Sequence, residues 1–186
     1  PKKEKWTLSS LLNGYPAHRI DREASGLVLF AKTKKIQELL MDEFRQRRVK
    51  KGYIAFVQGS LERRAGTIAR NVQDNKREKA KYAITKYRLL EVKNGFSVVQ
   101  VTPVTGRTNQ IRIHFKQIGH PLVGERRFAF ARDFRIKFRR IALHSADLEF
   151  RHPVKGKNLS FHSDLPADMQ EFLRREKQKE GLTPFS

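Results

Sequence analysis

The amino-acid sequence predicts an α+β fold, a mixed and largely antiparallel sheet with flanking helices. Three observations carry this. Strand-like runs alternate with a few helical segments, without a regular strand-helix repeat. Two of those runs, residues 83–92 and 96–103, flank Lys93-Asn94-Gly95, and Asn-Gly is a strong signal for a tight antiparallel hairpin. Helical periodicity is clearest in three stretches, 33–47, 105–119 and 166–177. With no internal repeat, glycine-rich phosphate loop or low-complexity tail, residues 18–177 read as one domain. A basic lead-in (1–17) precedes it and a frayed tail (178–186) follows.

A chain of 186 residues can bury roughly 70% of its unfolded surface, enough for a real core. Forty Lys and Arg against nineteen Asp and Glu give a formal charge of +21, which points to a polyanionic partner and so to nucleic acid. Charge names the partner class and not the job. There is no cysteine, which excludes disulfides and thiolate metal sites, and the six histidines lack metal-ligand spacing, so no metal is expected. No stretch has the apolar length of a membrane span or a signal-peptide core. The expectation is a cytoplasmic, monomeric protein that uses no membrane.

Taken in order, residues 1–17 carry a short helix around Leu8, Leu11 and Leu12 and a turn at Asn13-Gly14. His18-Arg19-Ile20-Asp21-Arg22-Glu23-Ala24-Ser25-Gly26 then runs into the apolar segment 27–31, read as a strand buried on both sides. Asp21, between Arg19 and Arg22, lies in turn chemistry at the mouth of that strand. It is either an ion-paired surface aspartate or a carboxylate placed to act, its arginines favouring the ionised form and burial opposing it. Thr33 caps a helix to about Arg47, with Ile36, Leu39, Leu40, Met41 and Phe44 facing inward. The charge run from Arg45 to Lys51 reads as a solvated helix end, with phosphate contact the lesser alternative.

Lys51 to Gly59 alternates as a strand, placing Tyr53, Ala55 and Val57 on one face and Ile54 and Phe56 on the other. Residues 59–82 lack a sustained period and read as a long connection or RNA-facing loop. Ile111, His114, Phe115 and Ile118 form a helical stripe that starts near Thr105 or Thr108 and ends at Gly119. Arg107 lies in the turn before it. Arg112, at the edge of the stripe, calls for a carboxylate partner, while His114 reads as a hydrogen-bonded packing residue. In 125–140, Phe128, Phe130, Phe134 and Phe138 among nine charged residues suit base stacking or an ordinary helix equally. Strands at 141–150 and 159–161 and a final helix follow, with Asp164 as its possible cap and Met169, Phe172 and Leu173 facing inward.

Three ordered motifs resemble the RluA family of RNA pseudouridine synthases: the His18–Leu27 stretch, Lys51-Gly52-Tyr53-Ile54-Ala55, and Gly106-Arg107-Thr108-Asn109-Gln110-Ile111-Arg112. Gly119-His120-Pro121-Leu122, Leu143-His144-Ser145 and His152-Pro153 extend the likeness to most of the chain. The resemblance implies the pseudouridine synthase catalytic domain and isomerisation of uridines in structured RNA, with ribosomal RNA ahead of transfer RNA. It makes Asp21 the catalytic carboxylate, has Tyr53 stack on the target base with a part in proton removal, and pairs Arg112 with the aspartate. No cofactor is implied. The base must flip out of folded RNA, and Arg19 is the candidate to hold the vacated space. Arg22 and Arg107 complete the expected RNA-binding residues.

This chain departs from the family pattern at Ala24 (threonine), Asn109 (histidine), Glu125 (aspartate) and Phe128 (tyrosine). The family also places a strand bearing Lys-Pro-x-Gly ahead of the aspartate loop. Seventeen residues precede His18 here, so the lead-in reads as the remnant of a longer N-terminal region. Two other classes compete. A catalytically inactive RNA-binding relative would keep the charge and fold without needing Asp21, Tyr53 and Arg112 together. A ribosomal or DNA-binding structural protein predicts basic tails or a recognition helix, and neither is present.

Overall fold

The computed structural model describes residues 7–75, 77–129 and 136–180. Four helices, α1 (Leu8–Leu12), α2 (Lys34–Arg45), α3 (Gln110–Gln117) and α4 (Ala167–Glu180), surround two sheets among these residues. The main sheet has seven strands: β2 (Ser25–Gly26), β4 (Lys50–Gln58), β5 (Ala65–Val72), β6 (Lys81–Lys93), β7 (Phe96–Pro103), β8 (Leu143–Arg151) and β9 (Asn158–His162). Their order is β2-β8-β4-β7-β6-β5, with β9 also on β8; β2 lies parallel to β8 and the other pairs are antiparallel. The mixed, largely antiparallel α+β architecture expected from the sequence is therefore observed.

The central strand β4 carries two cores because its residues alternate between faces. Tyr53, Ala55 and Val57 join Val99, Val101, Leu143 and the α3 residues Ile111 and Phe115 in one cluster. Phe56, with partly buried Ile54, joins Phe96, Val98, Met169, Phe172 and Leu173 in the cluster under α4. A third cluster packs α2, through Leu40, Ile36 and Phe44, against Leu148 and Phe150 of β8. The β6–β7 hairpin turns at Asn94-Gly95, where Gly95 adopts φ +84°, and Thr33 caps α2 by accepting from the Ile36 N–H at 3.3 Å.

Several expectations are corrected. The apolar segment 27–31 is not one buried strand. Its flanks pair in opposite directions, Gly26 with Ser145 of β8 and Phe30–Ala31 (β3) with Tyr15–Pro16 (β1), and of the five residues only Ala31 is buried. On α2, Leu39 and Met41 are exposed, because the helix meets its core through a narrower stripe. The supposed long connection 59–82 contains β5, paired with β6 over eight residues at the sheet edge. Helix α3 starts later than expected, after Asn109, and is buried from Gln110 through Phe115 rather than along one face. Asp164 lies 3.4 Å from His162 instead of capping α4, whose first turn is closed by the Pro166 carbonyl accepting from Met169 and Gln170. The reading of 125–140 as helix or base-stacking segment falls partly outside the described residues, as do Phe130, Phe134 and the tail from 181.

Candidate active site

The Asp21 loop is held from both ends. On its N-terminal side the His18 ring stacks on Phe44 with centroids 4.5 Å apart, and its Nε2 accepts from the Leu29 N–H at 3.0 Å. Burial, aided by the charge of Lys51, pulls His18 down to about 4, so it is neutral and can accept. On the C-terminal side Gly26 lies against Ser145 at φ +106°, where any Cβ would stand 2.2 Å from the Ser145 carbonyl oxygen. Ser25 Oγ is 3.0 Å from His144 Nδ1 and accepts from Arg140 Nη2 at 3.1 Å. Arg140 also donates to the Glu23 carbonyl at 3.2 Å and to both Asp168 oxygens at 2.8 and 3.0 Å, tying the loop to α4.

Tyr53 enters from β4 immediately after a register shift against β8, between Gly52 and Tyr53. Such a bulge re-aims the following side chain. The turn ahead of α3 is pinned to β6: Gln110 donates to the Ile84 carbonyl and to Thr85 Oγ1, and its Oε1 receives the Thr105 hydroxyl at 2.7 Å and the Arg107 N–H at 3.0 Å. Asn109, in the left-handed region at φ +51°, ends that turn.

These elements enclose a cleft of about 490 Å³ lined by the Asp21 loop, the end of α2, the start of β4 and the 103–111 turn. Asp21 and Tyr53 both face it, as do Arg19 and Arg107. Arg112 stands behind its wall, buried, and Arg22 occupies an exposed turn outside the lining. Desolvation raises the Asp21 carboxyl above its ordinary value, against the lowering charges of Arg112 and Arg19 and with Glu125 and Asp74 adding to the rise. Of the two opposing effects read from the sequence, burial prevails. Burial pushes the Tyr53 phenol up to about 12, opposed by Ser145 and reinforced by Asp21.

The carboxylate bonded to Arg112 is Glu125, at 2.7 and 2.8 Å, rather than Asp21. Arg112 Nη1 donates to Asn109 Oδ1 at 2.7 Å, and Asn109 Nδ2 in turn donates to Asp74 at 2.5 Å. Phe128 lies under the guanidinia of both Arg112 and Arg127, each 5.1 Å from its ring centroid. The direct Arg112–Asp21 pair implied by the resemblance is therefore replaced by a charge interaction across the cleft wall.

A family model described as RNA pseudouridylate synthase matches residues 2–117. The chain belongs to the RNA pseudouridylate synthase family. It is 35% identical over 174 residues to ribosomal large subunit pseudouridine synthase C of Vibrio cholerae, covering 87% of this chain and 55% of that protein. It is 38% identical over 156 residues to dual-specificity RNA pseudouridine synthase RluA of Pasteurella multocida, covering 78% of this chain and 71% of that one. It thus spans about half the length of several curated relatives it matches. Human RNA pseudouridylate synthase domain containing 1 shares the fold, with a TM-score of 0.76 at 23% identity over 93% of this chain and 82% of that one.

In this pseudouridylate synthase domain, sequence reasoning left three contributors out of the site. His18 anchors the catalytic-loop candidate, Glu125 holds Arg112, and Lys51 lines the cleft. His18 and Lys51 stood inside the recognised motifs, so their positions were the available signal. Glu125 stood out as a departure from the family pattern but offered no sign of its partner. Among the described residues there is no group of His, Asp and Glu that could hold a metal, and no helix long and apolar enough to cross a membrane.

Proposed function

We propose that this domain isomerises uridine to pseudouridine in structured RNA, with ribosomal RNA as the favoured substrate. The observation that carries the reading is the meeting of Asp21 and Tyr53 in one cleft, with the Arg112 charge behind it. Family membership and the name of the Vibrio relative support the substrate class.

The reaction breaks N1–C1′, turns the uracil and forms C5–C1′; the C5 proton is lost and N1 is protonated, so nothing is added overall. It asks for a carboxylate at C1′ or C6, a surface for the freed base and water exclusion. Asp21 supplies the carboxylate, and Arg112 and Arg19 offset its desolvation. Tyr53, whose phenol burial holds in the protonated form, supplies the stacking surface and relays the C5 proton. Arg19 and Arg107 at the mouth hold the RNA around the flipped nucleotide, and Arg22 contacts it from outside the cleft.

The test is tritium release to water from ribosomal and transfer RNA transcripts labelled at uridine C5. The parent chain should release it and Asp21→Asn should not. Equal release by both would remove Asp21 from the mechanism, and RNA binding by both without release would favour the inactive RNA-binding reading.

A further inference from the structure

Lys51 differs from Lys50, Arg45 and Arg48 in where its charge goes. Lys50 beside it meets Glu149 at 3.4 Å, Arg45 meets Asp42 at 3.4 Å, and Arg48 bonds Glu43 through Nε at 2.9 Å. Lys51 is half-buried and lines the cleft two residues ahead of Tyr53. Among the described residues, no carboxylate lies within ion-pair distance of it. Its ammonium lies over the turn ahead of α3, since a Cβ built on Gly106 would stand 3.5 Å from Nζ. His18, whose value the Lys51 charge helps to lower, is neutral and offers no compensating charge. Arg47 and Arg107 also line the cleft, and neither has a carboxylate within ion-pair distance among the described residues. Arg47 adopts the left-handed region at φ +58°.

A cation partly withdrawn from water without a counter-charge is destabilising, and burial pulls the Lys51 ammonium below its ordinary value. That cost is recovered when an anion enters. The anion that accompanies a uridine is the phosphodiester on its own ribose. We propose that Lys51, flanked by Arg47 and Arg107, forms the phosphate subsite of the cleft and seats a phosphodiester of the flipped uridine. This rests on the uridine-isomerising reading and adds what holds the nucleotide while its base is detached and turned. A phosphate grip at the ribose leaves the N1–C1′ bond free to break without releasing the sugar.

The test uses binding alone, so it stands apart from turnover. Uridine, uridine 3′,5′-bisphosphate, its neutral methylphosphonate diester analogue and inorganic phosphate are titrated into the full chain, followed by NMR. The bisphosphate should bind about tenfold more tightly than uridine, the gain expected of a charge-assisted contact. It should also move the Lys51 Nζ resonance, whereas the neutral analogue should bind like uridine. Inorganic phosphate shifting Nζ as tightly as the bisphosphate would mark a general anion site and overturn the nucleotide assignment. Lys51→Gln should erase the preference, Lys51→Arg should keep it, and Lys50→Gln should leave it unchanged. A preference that survives Lys51→Gln, an Nζ resonance that stays still, or no preference in the parent overturns the proposal. If tritium release fails while the Lys51-dependent preference appears, the isomerase reading falls and the subsite stands.

Discussion

Arg112 presents the Nε–Nη2 edge of its guanidinium to Glu125, and Glu125 Oε1 also receives the N–H groups of Arg126, Arg127 and Phe128 at 3.1, 2.8 and 3.2 Å. Both partners are nearly inaccessible, at 7% and 3% exposure. The cation whose charge acts on Asp21 is thus held by Glu125 and not by Asp21 itself. Removing one member of a buried pair leaves the other uncompensated, so Glu125→Ala should cost about 3–5 kcal/mol in urea unfolding, and Glu125→Asp, which keeps the charge, clearly less.

The same pair sets an acid limit on stability. Burial raises the Glu125 carboxyl, but the Arg112 contacts and the N–H groups of Arg127 and Phe128 outweigh it and hold it below the ordinary range. Its stabilisation is complete above the unfolded value of 4.5 and disappears as pH falls through the lower folded value. Acid titration of unfolding free energy should show a loss below about pH 4.5 that is reduced in Glu125→Gln. Parallel curves would mean that Glu125 is not held in its ionised form.

Asp21 has the opposite sign. Its folded value lies above the unfolded 3.8, so folding favours the protonated form and stability declines as pH rises from 3.8 through the folded value. At neutral pH the domain therefore carries a desolvated carboxylate that destabilises it. Asp21→Asn should raise Tm while abolishing tritium release, the trade expected where activity needs an unfavourable charge. The acid limb of the parent's kcat/KM profile should lie above the usual aspartate value. Arg19→Ala, which removes a lowering charge, should move that limb to higher pH; a shift to lower pH would contradict the assignment.

Tyr53 separates two duties by substitution. Its ring belongs to the cluster with Ala55, Val99, Val101 and Ile111, so Tyr53→Ala should open a cavity and cost about 3–5 kcal/mol. Tyr53→Phe keeps the ring and should unfold close to the parent. It should also bind RNA normally while slowing tritium release, since only the phenol proposed to relay the proton is lost. Release at the parent rate in Tyr53→Phe would confine Tyr53 to stacking.

The parts of this fold legible in the sequence are those whose signal is local. The β6–β7 hairpin announced itself through Asn94-Gly95, and the two faces of β4 through the period of two read along Lys51 to Gly59. Strand β5 stayed hidden because it lies at the sheet edge, with only Ile68 and Val72 fully buried among exposed neighbours, so backbone pairing rather than a hydrophobic period defines it. The segment after Gly26 misled for the converse reason: its apolar residues pack beside α2 while the backbone serves two different strands. At the cleft, motif order brought Asp21 and Tyr53 to attention. The partner of Arg112 was a choice among nineteen carboxylates that only the tertiary arrangement makes. Lys51 could not be told from its neighbours in the charge run, because what distinguishes it is its half-buried place in the cleft wall, where the other cations of the run are exposed.

Gly26 and Gly119 offer a test of whether close backbone approach or conformation alone positions the Asp21 loop. Both have positive φ, +106° and +85°, so alanine at either carries a strain of about 1–2 kcal/mol. At Gly119 nothing lies within 4 Å of an added Cβ, whereas at Gly26 the Ser145 backbone stands 2.2 to 2.8 Å away. Gly26→Ala can be accommodated only by lifting β2 from β8. That movement would carry Ser25 away from Arg140 and His144 and displace Asp21, whose carbonyl accepts from Ala24 at 2.9 Å. Gly119→Ala should therefore lower Tm modestly and leave tritium release intact, while Gly26→Ala should lower Tm further and abolish release. Equal losses in the two variants would show that the seating of β2 on β8 does not govern the position of Asp21.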